Sequence, residues 1–201
     1  MRTTVLLLSI VIALQIGCDK ADDNFVPHLP LITQTGENTF GCYIDGKILI
    51  PRDGEGTFNT PDPGMRFVGL GNPPNYEYID IKIRDFKSGN GGLLDIHIPN
   101  LHQIGEGTFL INESNCEDSV YALDTVNIRC RWLDETSQSY KWYCSLPDSG
   151  LLIITRYDFE NRIVSGTFSC RAVNRDDPTD FIEITEGRFD IKWDDLPGNF
   201  P

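Results

Sequence analysis

The sequence predicts an all-β fold, an antiparallel β-sandwich or partly open barrel in a single domain. Three observations predict it. Apolar and polar residues alternate through 78–98, with Ile79, Ile81 and Ile83 on one face and Asp80, Lys82 and Arg84 on the other. That is the period of a strand with one buried face. Turn signals such as Asp45-Gly46 and 88–92 (Ser-Gly-Asn-Gly-Gly) separate the alternating stretches. Neither half of 78–98 holds a 3.6-residue pattern long enough to compete as a helix.

The first segment lies outside that domain. Arg2 is followed by an apolar run of ten residues, 5–14, broken only by Ser9. A helix crossing a bilayer core needs ~20 residues, so the run fits the apolar centre of an export signal instead. It ends in Leu14-Gln15-Ile16-Gly17-Cys18. A small residue before a cysteine suits a lipoprotein-processing peptidase, with the Cys18 thiol taking the lipid. Gln15 departs from the aliphatic residue usual at its position, and the competing reading is a plain secretory signal with a chance cysteine. The expected organisation is a signal peptide over 1–17, a lipidated N-terminus and flexible tether over 18–37, and a β-sandwich-like domain over 38–201. Pro27 and Pro30 and the lack of periodicity mark the tether. The acidic run at 19–23 is either a solvated spacer or an address.

Charge narrows the partners. Residues 1–17 contain one basic residue, Arg2, and no acid, so the net charge of −13 becomes −14 without them. Nucleic acid and anionic lipid surfaces repel such a chain, so no nucleic-acid partner is expected. The partners expected are the lipid bilayer, through acylated Cys18, and a glycan or an envelope protein.

Within the domain, hairpins are predicted at 40–50, at 78–98, and between 126–133 and 140–146. If the third turn centres near Ser137, Trp132 pairs with Trp142 and Cys130 with Cys144. The cysteines other than Cys18 are Cys42, Cys116, Cys130, Cys144 and Cys170, an odd number. Cys130–Cys144 is the disulfide this register favours, and a one-residue slip would break it. Strands follow at 151–157 and 163–174, then a final pair, 181–185 and 188–193, turning at Gly187. In 163–174, Phe168, Cys170 and Ala172 share a face, which marks Cys170 as a buried small hydrophobe. Gly-Glu-Gly-Thr-Phe occurs at 54–58 and 105–109, with echoes at 166–168 and 187–189. Its glycine is expected to release the chain from a turn, its threonine to start a strand and its phenylalanine to anchor the core.

Residues 29–42, Leu-Pro-Leu-Ile-Thr-Gln-Thr-Gly-Glu-Asn-Thr-Phe-Gly-Cys, resemble a segment of uncharacterised Bacteroidota lipoproteins. The pieces 164–168 (Val-Ser-Gly-Thr-Phe) and 184–190 (Ile-Thr-Glu-Gly-Arg-Phe-Asp) are similar to theirs as well. The resemblance implies a lipoprotein with a β-sandwich-like domain of unknown function, and it carries over no catalytic or binding residue. Cys170 stands where such proteins often have an aromatic residue, which implies an extra disulfide or a repacked core. The acidic run resembles their surface-export signal, which implies the outer leaflet of the outer membrane, and Asp118-Ser119-Val120 and Asp124-Thr125-Val126 look like their O-glycosylation acceptor motif.

No catalytic, cofactor or metal constellation stands out. There is no Gly-x-Ser-x-Gly, His-Glu-x-x-His or CxxC. His97 and His102 lack a third ligand at metal spacing, and His28 falls in the tether. Asp176, Asp177 and Asp180 cluster in a turn without the residue order of an EF-hand. Tyr76, Tyr78, Tyr140 and Tyr143 are candidate sugar platforms, read as loop residues or as facing away from the core. These features favour a non-enzymatic binding or interaction module on the cell surface. The alternatives are a glycan- or peptide-directed hydrolase assembled from loop residues, and a structural subunit of an envelope complex.

Overall fold

The computed structural model describes residues 25–57, 61–71, 77–88 and 91–201. The predicted signal, Cys18 and the acidic run lie outside them, as do Phe58 and Tyr76. Ten strands form one antiparallel sheet curled into a half-barrel, the partly open barrel of the two predicted forms. They are β1 (Thr39–Ile44), β2 (Lys47–Leu49), β3 (Met65–Leu70), β4 (Tyr78–Arg84), β5 (Leu93–Pro99), β6 (Gly107–Ile111), β7 (Asn127–Asp134), β8 (Ser139–Asp158), β9 (Ile163–Asn174) and β10 (Asp177–Lys192). The sheet runs β2-β1-β10-β9-β8-β7-β5-β4-β3, and β6 pairs with the second half of β8. A short helix, α1 (Leu101–Ile104), follows β5. No helix among the described residues is long and apolar enough to cross a membrane.

The concave face carries the core. Ile81, Ile83, Leu94, Ile96, Ile98, Ile128 and Cys130 are fully buried, as their two-residue period requires. Burying one such aliphatic side chain is worth about 1.5–3 kcal/mol. Cys42, Cys130 and Cys170 are free and buried among them. Burial pushes all three thiols up, Cys170 to about 12, which leaves them unreactive.

Two long strands depart from the sequence reading. Residues 151–157 are the second half of β8, which bends at an irregularity between Ser145 and Gly150. The predicted final hairpin is one continuous strand, β10, interrupted by a bulge between Ile184 and Gly187. Gly187 makes no turn. It lies opposite Phe168 of β9, and a Cβ there would sit 2.5 Å from that ring. Gly166 lies opposite Phe189 in the same way.

The predicted register of the β7–β8 hairpin is off by one residue. Asp134 pairs with Ser139, Trp132 with Lys141, Cys130 with Tyr143 and Arg129 with Cys144. A one-residue shift exchanges faces, so Cys130 turns into the core and Cys144 away from it. The Cys130–Cys144 bridge is therefore corrected: Cys144 is bonded to Cys116, with a Cα–Cα separation of 5.5 Å.

The edges of the curl are fastened beside β2 and β4. Arg52 donates through Nε and an Nη to the two carboxylate oxygens of Asp85, at 2.8 and 2.9 Å. Burial acts to raise the Asp85 carboxyl, but Arg52 and the N–H groups of Ser88 and Lys87 outweigh it and hold the carboxyl below its usual range.

A second fastening involves the segment read as the end of the tether. The Asp190 carboxylate, on β10 and 1% exposed, accepts five hydrogen bonds. They come from Thr33 Oγ1 (2.7 Å), the N–H groups of Thr35 (3.0 Å), Gly36 (2.9 Å) and Glu37 (3.2 Å), and Ser165 Oγ (2.7 Å). Gly36 supplies its N–H at φ +80°, and Asn38 continues the clamp by accepting from the N–H of Lys192 at 2.8 Å. Leu29 and Pro30 lie against Gly41, where a Cβ would come within 2.7 Å of the proline ring.

Burial acts to raise the Asp190 carboxyl, but its hydrogen bonds outweigh it and the pKa is lowered. Stability from a depressed carboxyl is complete above the unfolded value near ~3.9 and is lost as pH falls through the folded one. Asp190→Asn is expected to cost about 2–4 kcal/mol at pH 7, because an amide cannot accept the same set of donors. Urea unfolding at stepwise lower pH checks this, and the gap between variant and parent should shrink below about pH 4.

Candidate functional site

The convex face of β4, β5 and β7 is charged, as the alternation predicts, yet it is not solvated. Register sets Asp80 opposite His97 and His97 opposite Asn127; one pair along, Lys82 faces Asp95 and Asp95 faces Arg129. Asp80, Asp95, His97 and Asn127 are all buried. Residues 112–126 cover them as a lid containing a 3₁₀ turn (Ser119–Tyr121), and Cys116–Cys144 staples that lid to β8. Asn127 Nδ2 donates to the Thr125 carbonyl at 2.8 Å, and Ser145 Oγ donates to the Asn112 carbonyl at 2.6 Å.

Buried charges need partners, and the lid completes them. Asp95 receives Arg84 at 2.8 Å and Arg129 at 2.7 Å. Asp118, from the lid, receives Lys82 at 2.6 Å and Arg129 at 2.8 Å. Burial acts to raise the Asp118 carboxyl, and Lys82 and Arg129 bring it below its usual range.

At the end of this network a pocket of about 360 Å³ opens, lined by Glu77, Tyr78, His97, Asn100, Ser119 and Asp124 among others. His97 Nδ1 lies 2.7 Å from Asp80 Oδ1, and Ser119 Oγ donates to Asp80 Oδ2 at 3.1 Å. In the neutral imidazole this fixes the proton on Nδ1 and leaves Nε2 an acceptor. The Tyr78 ring packs 5.0 Å from the imidazole. Ser119 is held at φ +55°. The grouping contains a serine, a histidine and an aspartate, but not in the order of a nucleophilic triad. Ser119 bonds to Asp80 and not to the imidazole that would have to take its proton. Lys82 Nζ is 3.3 Å from Ser119 Oγ, but it is ion-paired to Asp118 and Asp80, and an ion-paired ammonium has no lone pair to offer. The arrangement fixes polar groups in place around a ligand-sized opening.

The other sequence candidates fall elsewhere. His102 is not brought to His97; its ring packs 4.8 Å from Phe159 and lies near the Tyr157 hydroxyl. Tyr78 does face away from the core, but the lid buries it. Tyr143 lies on the core face, correcting the reading that turned it outward. Tyr140 is 41% exposed, with the Arg131 guanidinium 4.4 Å over its ring. Asp180 is occupied by Lys141, Tyr143 and Asn174, and Asp177 by Thr179. No group of three or more metal-ligating side chains converges among the described residues. Of the two acceptor-like motifs, Ser119 is engaged internally, while Thr125 is exposed. Asp80, Cys116 and the lid were missed in the sequence. The outward set Asp80, Lys82, Asp95 and His97 was a readable signal, but nothing local showed that a loop 20–40 residues on would cover it.

A second groove, about 530 Å³, runs along β3 between 53–56 and 61–63 on one side and 196–198 on the other. Of its two aspartates, Asp53 is spent on the N–H groups of Gly64 and Phe200, while Asp62 lines the wall with Arg66, which donates to the Pro61 carbonyl.

Comparison with known protein families, curated proteins and solved structures finds nothing that matches this chain.

The staple closes a loop with a sequence separation of 28, and chain entropy assigns such a loop about 3–4 kcal/mol. Replacing Cys116 and Cys144 together by serine is expected to lower unfolding stability by about that amount and to speed hydrogen exchange across 112–126. Mass spectrometry of a non-reduced digest should give a Cys116–Cys144 peptide; one joining Cys130 to Cys144 would contradict the structure.

Proposed function

We propose that the chain is a lipid-anchored, surface-exposed binding module of the cell envelope, non-enzymatic, with the His97 pocket as its ligand site. One observation carries the site: a buried imidazole, oriented by Asp80, forms the wall of an open pocket whose serine points at the aspartate. A hydrolase needs a base in reach of its nucleophile. A receptor needs fixed donors and acceptors around a concave opening, with apolar surface between them. Here Tyr78, Val120 and Ala122 supply the apolar surface. A sugar unit fits that mixture of ring contacts and hydrogen bonds.

The anchor rests on the sequence: the short apolar run, Gly17-Cys18 and the resemblance in 29–42. Surface exposure rests on the acidic run after Cys18.

Two measurements test the proposal. Labelled palmitate should enter the parent chain and be lost in Cys18→Ala; persistence of label in that variant would remove the anchor. On a glycan array, the unlipidated Cys18→Ser chain should bind and the same chain with His97→Asn should not. The array protein must retain 29–37, since a start at residue 38 would strip Asp190 of four of its five donors. Equal binding by the His97 variant would move the site elsewhere.

A further inference from the structure

We infer that the His97 pocket selects a ligand carrying a protonated amine beside hydroxyl groups, the chemistry of an amino sugar. The inference rests on the pocket reading above and goes further, to the charge of what binds.

Counting donors and acceptors on the pocket wall gives the argument. His97 is 6% exposed, and its Nε2 has no partner among the described residues. With Nδ1–H given to Asp80, that nitrogen asks for a donor. Glu77 and Asp124 stand exposed at the opening, and neither carboxylate has a partner among the described residues. Every cation nearby is already committed: Lys82 to Asp118, Arg84 to Asp95, Arg129 to both. The Tyr78 hydroxyl and the Asn100 amide add donors to the wall, but every charge left uncommitted there is a carboxylate, so the local charge is negative.

A neutral sugar can donate hydroxyls to these acceptors, but it leaves the negative charge of the two carboxylates uncompensated. An anion is repelled. A ligand whose ammonium reaches Glu77 or Asp124 while a hydroxyl donates to His97 Nε2 satisfies both. The chain's net charge of −14 without the signal also favours the approach of a cation. A bare metal ion is a poorer match, because these groups do not converge as ligands. The volume, about 360 Å³, lies near the small end of ligand pockets, ~300–1,000 Å³. One sugar ring is the scale it holds.

The test uses the full-length chain bearing Cys18→Ser, with ¹⁵N-labelled histidine, and follows the His97 ring resonances at pH 7. D-glucosamine should shift them saturably. D-glucose and N-acetyl-D-glucosamine, which lack the charge, should bind at least tenfold more weakly. Glu77→Gln with Asp124→Asn should weaken glucosamine at least tenfold while leaving the fold intact by circular dichroism, because both carboxylates are exposed. Equal or tighter binding of glucose overturns the charge selection and leaves the pocket reading standing. Equal shifts from ammonium chloride at matched ionic strength overturn the amino-sugar chemistry. No shift with any probe overturns the inference, while the pocket reading is then decided by the array and the His97 variant.

Discussion

The Asp190 carboxylate is the constraint on which the β1–β2 edge of the sheet depends. A buried carboxylate must have its hydrogen-bonding capacity filled, and the donors here come mostly from a segment about 155 residues away in the chain. The alternation Thr33, Thr35, Gly36 supplies one hydroxyl and two of the three N–H groups. Three residues after Gly36 β1 begins, with Thr39 paired to Asp190 itself. The clamp thus sets where β1 lands on β10, and β1 carries β2 with it. Residues 29–42 and 184–190 are two sides of this one contact, a docking segment and its receptor.

The paired glycines of β9 and β10 have a related cause. Phe168 and Phe189 both point into the concave face, and in register each meets a glycine on the neighbouring strand. The ring covers the space that a side chain would fill. The repeated Gly-x-Phe pattern, read in the sequence as turn chemistry, is here cross-strand packing at mid-strand, with the bulge before Gly187 taking up the mismatch. Glycine's lack of a Cβ is the property used, and its freedom at positive φ is not.

What the sequence made legible was local. Period two placed Ile79, Ile81 and Ile83 inside and Asp80, Lys82 and Arg84 outside, and Asp45-Gly46 made its hairpin. It did not convey the register of the β7–β8 turn, where one residue decides whether Cys144 meets Cys130 or Cys116. Nor did it show that β8 and β10 continue through Pro147 and Glu186, because a bulge and a turn use the same residues. The site was hidden for a different reason. His97 looked like an ordinary outward residue, and only a lid stapled from another part of the chain makes its surroundings a pocket.

On the anchor reading, the clamp at Asp190 also sets a leash. A chain extends at most about 3.3–3.6 Å per residue. If the free length ran from Cys18 to residue 38, the domain could stand as far as ~70 Å from its lipid. Fixed at Thr33, that length is at most fifteen residues, with a limit near ~50 Å. The volume the pocket can sweep falls with the cube of that length, so the effective concentration of anything held at the same membrane rises by more than twofold. On that reading, a single carboxylate in the sheet helps set how far from its lipid the domain can reach.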